Sequence, residues 1–438
     1  MSKPSSTSLR LTAQPVYLAA SALNNLICGL PSGTADFSAI VLIPMFTGQL
    51  LHPQGSLAGA ALPYGAHLRW GWQRVERAME RGHLALDALF ERALTWCVEP
   101  LPVEPVRLGS ERRTVHALDS ATLARLRANK KTCALLGKGS CQRAQRAVSA
   151  NIVAALTTVV HVRGTRVGLV RRTRFGATCE EAVTKVFANL PERRDKPLLS
   201  VDAGIATQEQ FSAATERDAL GGRLPKNVRL RRAPRPRQRG RRGRPPLPGP
   251  VLHPGAPRPE GRADEDRILR IEEREGRVRR GRKLHFKRAP QTLLDVGRVD
   301  DPACKRPWRL GTPARELTTD ESRQAYGQRW PVETTFSVAQ GPCAMEMPRG
   351  WSETAVERRI SLALLAGWLL KALAAECEAL PRGPGDLKAV SSAGRVAHHL
   401  GLPAAHFAAL ALRGIAPRKY RKITAAKETT DVQLPLAA

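Results

Sequence analysis

One hairpin pattern constrains the fold of this chain more than any other feature. The stretch "NIVAALTTVVHVRGTRVGLVRRTRF" contains two β-branched runs around a turn at Gly164, the pattern of two antiparallel strands. A short extended run, "TVHALDSAT", precedes it, and a helix at about "CEEAVTKVFANL" and an apolar strand, "PLLSVDAG", follow it. Three strands, a helix and a fourth strand predict an α/β fold with a mixed sheet.

Helical patterns lie on both sides of this segment, and 438 residues allow two or three domains. Three or four helices are predicted before residue 105, where Arg69, Arg74, Arg77 and Arg81 recur at helical spacing on one long segment. Those arginines fit a DNA-binding surface and a solvated helix face about equally well. The predicted parts are an N-terminal helical module (1–105), the first part of the core (106–220), a basic arm with a β-rich insertion (221–316), the last helical part of the core (317–381) and a helical tail (382–438).

The composition changes sharply after residue 221. Between Arg223 and Arg244, eleven of twenty-two residues are Arg or Lys and none is acidic. Its prolines exclude a regular helix, so a basic, mobile arm is expected. The runs "RILRIEE", "RKLHFKRA", "TLLDVGRV" and "PWRLGT" then predict a small β-rich insertion, in which Trp308 is expected to pack in the core rather than stack on a base. The acids of "ADED" at 263–266 are expected to balance neighbouring charge.

A formal net charge of +31 indicates a polyanionic partner, and nucleic acid is the commonest one. The longest apolar runs are too short to span a bilayer, and the N-terminus lacks the pattern of a secretory signal. A cytoplasmic, nucleoid-associated protein is therefore expected. The eight cysteines form no C-x-x-C pair and are expected to be reduced and mostly buried.

Three acidic residues need an explanation in a chain this basic. Asp119 and Asp202 each end a strand-like apolar run, and burying a carboxylate without a partner is costly. Either aspartate alone is more simply explained as a cap of the next turn, through Ser120 or Gly204. Glu333, however, follows in "YGQRWPVETTF", where helical spacing places it on one face with Tyr326 and Arg329, provided that Pro331 only bends the helix.

Three carboxylates on two strands and a helix could hold two divalent ions for an in-line displacement at a phosphodiester. Oxygen ligands suit Mg²⁺, with Mn²⁺ as a substitute, better than zinc. A basic surface would hold the phosphates while the acids hold the metal. The sequence therefore predicts a magnesium site at Asp119, Asp202 and Glu333.

Taken together, "ALDSAT", "LLSVDAG" and "YGQRWPVETTFSVAQ" resemble the Asp-Asp-Glu triad of bacterial insertion-sequence transposases. The last motif is similar to the Tyr-Arg-Glu-Lys signature of that group (Y-x2-R-x3-E-x6-K). The resemblance extends from about Val115 to Leu380 and includes the arginine-rich stretch and "DDPACKRPWRLGT". The ordered set is fairly specific, whereas one aspartate motif alone is weak.

This resemblance implies a ribonuclease-H-like core with a β-rich insertion between the second and third acids. It implies that Asp119 and Asp202 bind metal from adjacent strands, that Glu333 completes the site, and that Tyr326 and Arg329 position DNA phosphate. The partner would be double-stranded DNA, at element ends and at the target, with a homodimer in the synaptic complex. The signature lysine falls at Gln340, which carries no charge and would hold a phosphate less strongly.

Two other functions remain open at this point. A non-catalytic DNA-binding protein could keep the same fold, and a structure-specific nuclease could cut without joining. Other motifs have plainer explanations. "GKGS" at 137–140 lacks the spacing of a phosphate-binding loop, and His398 and His399 are expected at the surface.

Overall fold

The computed structural model describes residues 6–28, 41–52, 55–61, 77, 79–82, 84–96, 101, 103–110, 112–125, 135–141, 146–188, 190, 197–215, 219–232, 251–254, 263–271, 274–347, 352–381, 386 and 388–413. Helices lie toward both ends of the chain, and a large sheet with parallel and antiparallel pairs lies between them. The predicted α/β class with a mixed sheet is therefore confirmed.

The helices are α1 (Ser6–Cys28), α2 (Leu57–Ala61), α3 (Leu86–Trp96), α4 (Cys179–Ala188), α5 (Gln208–Thr215), α6 (Thr319–Gly327), α7 (Trp330–Gln340), α8 (Glu353–Glu376), α9 (Ala393–Gly401) and α10 (Ala404–Ala411). Residues 41–46 are also helical. The strands are β1 (Val103–Pro105), β2 (Arg107–Leu108), β3 (Arg113–Ala124), β4 (Leu136–Cys141), β5 (Arg146–Val162), β6 (Thr165–Gly176), β7 (Leu198–Val201), β8 (Ala219–Arg223), β9 (Leu230–Arg232), β10 (Val251–Leu252), β11 (Glu265–Ile271), β12 (Arg274–Phe286), β13 (Ala289–Asp300) and β14 (Trp308–Thr312).

The predicted hairpin forms one side of the sheet, where β6 pairs only with β5 among the described strands. Strands β5 and β6 pair in antiparallel fashion around Arg163 and Gly164, whose φ angles of 46° and 76° suit the two central positions of a type I′ turn. On its other edge β5 pairs with β3, and β3, β7 and β8 are parallel neighbours. The expected helix after the hairpin is α4, and the expected apolar strand is β7.

The β-rich insertion continues this sheet. From β8 the strands follow the order β14, β13, β12, β9 and β10, and β11 pairs with the free edge of β12. The four strand-like runs of the sequence are β11 to β14, as predicted. The expected basic arm is wrong for Leu230–Arg232, because these residues form β9 and satisfy their backbone groups against β12. Residues 233–250 lie outside the described part.

One hydrophobic core joins both ends of the chain to the sheet. Leu23 of α1, Phe46, Phe90 of α3, Trp368 of α8 and Phe407 of α10 are buried in a single cluster that also contains β5 and β6 side chains. Helix α8 is buried on nearly all sides, as an all-round apolar helix must be. No helix in the described ranges is long and apolar enough to cross a membrane.

The long segment that carries the four predicted arginines is not one continuous helix in its described part. Residues 79–81 are helical, the chain bends at Gly82, and α3 begins at Leu86. Glycine weakens a helix, and Arg358 of α8 donates hydrogen bonds to the carbonyls of Met79, at 2.8 Å, and Gly82. Arg77 and Arg81 are exposed. Arg69 and Arg74 lie outside the described residues, so the predicted arginine face is described only in part.

Candidate active site

The two aspartates lie on adjacent parallel strands. Leu118 of β3 is in register with Val201, the last residue of β7, so Asp119 and Asp202 follow at the same level of the sheet. Asp202 ends its strand as predicted. The predicted strand end at Asp119 is wrong, because β3 continues to Ala124 through its pairing with the longer β5. Asp119 therefore lies within β3 beside the point where β7, the parallel neighbour of β3, ends.

Both aspartates also organise the backbone around them. The Oδ1 atom of Asp119 accepts a hydrogen bond from the Ser120 N–H at 2.8 Å. Because Ser120 lies within β3, this bond does not cap a turn, and the capping explanation is wrong for Asp119. The carbonyl oxygen of Asp202 accepts from the N–H groups of Ile205 and Ala206 at 2.9 and 3.0 Å. These bonds start the turn between β7 and α5 and fix the direction in which the chain leaves the sheet.

The opposing side of the site comes from two helices rather than the one that the sequence predicted. Helix α6 begins after a capping box formed by Thr318 and Glu321 and ends at Gly327. Helix α7 begins at Trp330 with Pro331 in its first turn, where the missing N–H costs nothing. Between them Arg329 keeps helical φ and ψ angles of −70° and −30°, and its N–H bonds the Tyr326 carbonyl at 3.0 Å.

This tight junction keeps the predicted side chains together. The hydroxyl of Tyr326 donates to Oδ1 of Asp202 at 2.9 Å. The guanidinium of Arg329 donates to Oδ2 of Asp119 at 2.8 Å and, through its other terminal nitrogen, to Oε1 of Glu333. Residues that are 124 and 210 positions apart in sequence thus meet at one end of β7.

Burial and charge oppose each other at this site. Burial raises the pKa of the Asp119 carboxyl, Arg329 lowers it, and the nearby Glu333 and Asp202 raise it again, so that the pKa lies above its ordinary value. Burial also raises the pKa of the Tyr326 hydroxyl, and Asp202 adds to the effect. Burial lowers the pKa of Arg329, but Asp119, Tyr326 and Glu333 outweigh it, so Arg329 stays charged.

One aromatic ring and one guanidinium lie against the Tyr326 ring. The Trp308 ring of β14 meets the Tyr326 ring edge-on, with centroids 5.5 Å apart, and the Arg329 guanidinium lies 5.6 Å from the centroid of the same ring. Trp308 is half-buried beside the core of the insertion, which agrees with the packing prediction. Trp330, the next residue after Arg329, is 60% exposed, so an aromatic surface lies open to solvent beside the site.

The chemistry of the donor set suits a hard divalent cation. All three acids offer carboxylate oxygens, and within the described structure no hydrogen bond reaches Oδ2 of Asp202 or Oε2 of Glu333. In this arrangement Arg329 supplies the positive charge between Asp119 and Glu333. Among the residues described, no group of three or more His, Cys, Asp or Glu side chains is close enough together to hold one metal ion. The carboxylate oxygens are therefore the kind of ligand that Mg²⁺ prefers. Two of the three carboxylates, Asp119 and Glu333, are held apart by the Arg329 guanidinium that lies between them.

Gln340 is the last residue of α7 and is half-buried. It therefore lies at the far end of the helix that begins beside the acids.

Two cationic side chains near the site were not singled out in the sequence. Arg223 of β8 lies near enough to the Tyr326 hydroxyl to oppose the rise in its pKa, and Lys371 of α8 donates to the Pro331 carbonyl at 3.3 Å and to the Thr334 hydroxyl. Their signal in the sequence is weak, because each is one basic residue in a basic chain.

The remaining motifs have structural explanations. "GKGS" belongs to β4, an edge strand paired with β5. In "ADED", Asp264 pairs with Arg232 at 2.9 Å and Asp266 with Arg277 at 2.7 Å, so these acids do balance charge. His398 is exposed, while the His399 Nε2 atom lies 2.6 Å from the Pro381 carbonyl oxygen.

The expectation that the cysteines are mostly buried is wrong for the five cysteines whose exposure the structure describes. Cys343 and Cys377 are buried, and Cys28, Cys179 and Cys304 are not.

Comparison with known proteins adds no family to this description. No protein-family model matches the chain, and no curated protein matches it. The geometry of the site and the sequence motifs therefore carry the functional argument.

Proposed function

We propose that this chain is a DNA transposase of the Asp-Asp-Glu type, which cuts the ends of a mobile element and joins them to target DNA. The single observation that carries the proposal is the meeting of three distant carboxylates at the end of β7, with Tyr326 on Asp202 and Arg329 on Asp119 and Glu333. Burial raises the pKa of the Asp119 carboxyl, and a perturbed carboxyl beside other charged groups is typical of functional sites. The three motifs of the resemblance predict the same five residues.

The sheet supports the ribonuclease-H-like part of the proposal. Its two acid-bearing strands are parallel neighbours with an antiparallel hairpin beside them. Between the second and third acids, a β-rich segment extends the sheet. Both features agree with the fold that the resemblance implies, and a mixed α/β sheet alone would be compatible with many other functions.

The chemistry would be two successive displacements at phosphorus. In the first, a water oxygen bonds to the phosphorus at the element end, the P–O3′ bond breaks and the leaving 3′ oxygen takes a proton. In the second, this 3′-hydroxyl loses its proton and attacks a target phosphodiester, whose own 3′ oxygen leaves. Divalent ions held by Asp119, Asp202 and Glu333 would stabilise the charge on the attacking and leaving oxygens. Tyr326 and Arg329 orient the carboxylates, and the resemblance implies that they would also position a DNA phosphate.

A cleavage and joining assay tests this proposal. The full chain is incubated with Mg²⁺ and duplex DNA from the borders of its own gene, alone and with a target plasmid. We expect nicks at the element ends and strand-transfer products, and loss of both in Asp119→Asn and Glu333→Gln. Glu376→Gln serves as the control, because Glu376 pairs with Arg163, at the turn between β5 and β6. Equal nicking by Asp119→Asn would refute the proposal.

The second candidate is a DNA-binding protein without catalysis, and Gln340 favours it. A neutral residue at the signature lysine position removes one phosphate contact. This candidate predicts that the protein binds border DNA without nicking it. Nicks without strand transfer would instead indicate a nuclease.

A further inference from the structure

Three arginines stand side by side on neighbouring strands of the insertion. The register pairs Arg279 of β12 with Arg298 of β13, and Arg298 with Arg309 of β14. Directly opposed residues point to the same face of a sheet, and like charges in such positions destabilise it. A row of this kind therefore requires negative charge from elsewhere.

The described residues supply only part of that charge. Asp300 accepts from Arg298 at 2.9 Å and from Arg279 at 3.2 Å. Arg309 has no carboxylate partner within the described ranges, and its Nε atom is buried without a hydrogen-bond acceptor. Yet Arg309 is only 7% exposed. A buried charge without a counter-ion is costly, so the described protein leaves this guanidinium uncompensated.

Further arginines near Arg309 increase the deficit of negative charge. Arg223, Arg298 and Arg306 lie near enough that, together with burial, they lower the pKa of Arg309. Arg306 is exposed, in the segment between β13 and β14, so this side of the group is open to solvent. Arg223 is opposed to Leu310 and therefore points to the other face of the sheet. We call the remaining three residues the arginine cluster: Arg298, Arg306 and Arg309.

We infer that the arginine cluster binds a phosphate group of a nucleic-acid backbone, with Arg309 as its central donor. Guanidinium groups match phosphate geometry through paired N–H donors. The backbone source is favoured because the chain carries a formal net charge of +31, which attracts a polyanion rather than a single small anion. The assignment to nucleic acid rests on the proposed function, whereas the need for an anion at Arg309 does not.

The first test measures DNA binding by the full chain in EDTA, where metal-dependent cleavage cannot interfere. The fluorescence anisotropy of a labelled duplex is followed at several KCl concentrations for wild type, Arg309→Gln, Arg309→Lys and Arg267→Gln. Arg267 is the control because it pairs with Glu265 at 2.8 Å on β11. We expect Arg309→Gln to bind about tenfold more weakly and its salt slope to fall by about 0.9, with partial recovery in Arg309→Lys. Wild-type affinity and slope in Arg309→Gln would overturn the nucleic-acid assignment.

The second test separates binding from a structural role. Pyrophosphate is added as the probe, and the melting temperature is measured. We expect pyrophosphate to raise the melting temperature of the wild type and to leave that of Arg309→Gln unchanged. Without pyrophosphate, Arg309→Gln should melt no lower than the wild type, because an uncompensated charge has been removed. A wild type that does not respond to pyrophosphate, with an Arg309→Gln variant that melts lower, would show that Arg309 is structural.

The two tests also distinguish a nucleic-acid phosphate from a free phosphate compound. They further separate a failure of the arginine-cluster inference from a failure of the transposase proposal. If pyrophosphate stabilises the wild type but Arg309→Gln binds DNA normally, the cluster holds a free phosphate compound and the backbone assignment is wrong. Asp119→Asn should retain wild-type DNA affinity in EDTA. If Asp119→Asn also cleaves DNA normally, the transposase proposal fails while a binding defect in Arg309→Gln still stands.

Discussion

The guanidinium of Arg329 donates to the carboxylate of Asp119 at 2.8 Å across 210 residues of sequence. The same guanidinium also binds Glu333, one turn further along the chain. One cation thus holds a strand carboxylate and a helix carboxylate together, against their mutual repulsion. This relationship sets the protonation behaviour of Asp119, from which the first prediction follows.

Asp119→Asn should stabilise the protein near neutral pH while it abolishes cleavage. The folded-state pKa of Asp119 lies above its ordinary value of 3.8, so the folded chain binds this proton more tightly than the unfolded chain does. Stability therefore falls as pH rises from about 3.8 through the folded pKa, and the neutral amide avoids that loss. Urea unfolding at several pH values should show an advantage for Asp119→Asn at pH 7 that vanishes in acid. An advantage that grows toward acid would contradict this assignment.

Tyr326→Phe should slow cleavage with a small change in stability. The substitution removes the hydroxyl that donates to Asp202 but keeps the ring against Trp308. Loss of one partly exposed hydrogen bond costs about 1 kcal/mol, so the urea midpoint should shift little while the nicking rate falls at least tenfold. Phe407→Leu, far from the site in the helical core, is the contrasting variant, with lower stability and an unchanged rate per folded molecule. Unchanged nicking by Tyr326→Phe would exclude a role for this hydroxyl.

Gln340→Lys should strengthen DNA binding. The residue ends α7, where a cation is also favoured by the helix dipole. We expect tighter binding in anisotropy measurements and a salt slope steeper by about 0.9, the value of one added phosphate contact. Ser337→Lys, on the exposed surface of the same helix, controls for the added charge alone. Equal gains in both variants would show that position 340 has no special contact with DNA.

Gly168→Ala should weaken both the fold and the activity. A Cβ at Gly168 of β6 would lie 3.2 Å from the carbonyl carbon and oxygen of Pro331, in the first turn of α7. Overpacking of this kind costs about 1–3 kcal/mol, and it pushes on the turn that carries Glu333. Urea unfolding and the nicking rate should both decline. Gly394→Ala, where a Cβ meets nothing within 4 Å, should be neutral or stabilising.

Local chemistry made some elements predictable from sequence. The turn at Arg163 and Gly164 and the capping box at Thr318 depend on residues a few positions apart, so the sequence displays them directly. The strand end at Asp119 was mispredicted because the length of β5, a different segment, keeps β3 extended to Ala124. The break before Trp330 was also missed, since the pattern on both sides of Pro331 is helical.

Contacts between distant segments could not be predicted from the sequence. Helical spacing grouped Tyr326 with Arg329 and Glu333, but it could not show which aspartate each side chain meets. The opposition of Arg298 and Arg309 depends on the register between β13 and β14, which composition cannot reveal. The chain is rich in arginine, and many of the described arginines have a carboxylate or carbonyl partner. Arg309 can be recognised as lacking a carboxylate partner among the described residues only once the partners of the other arginines are known.

The most direct test of the central claim is divalent-ion binding by the three carboxylates. Isothermal calorimetry of Mn²⁺ is performed on the full chain and on Asp119→Asn, Asp202→Asn and Glu333→Gln, with Glu376→Gln as the control. If the three acids form one metal site, each of the three variants should bind Mn²⁺ at least tenfold more weakly, and the control should match the wild type. The same Mn²⁺ affinity in all five proteins would contradict the assignment of Asp119, Asp202 and Glu333 to a metal-dependent active site.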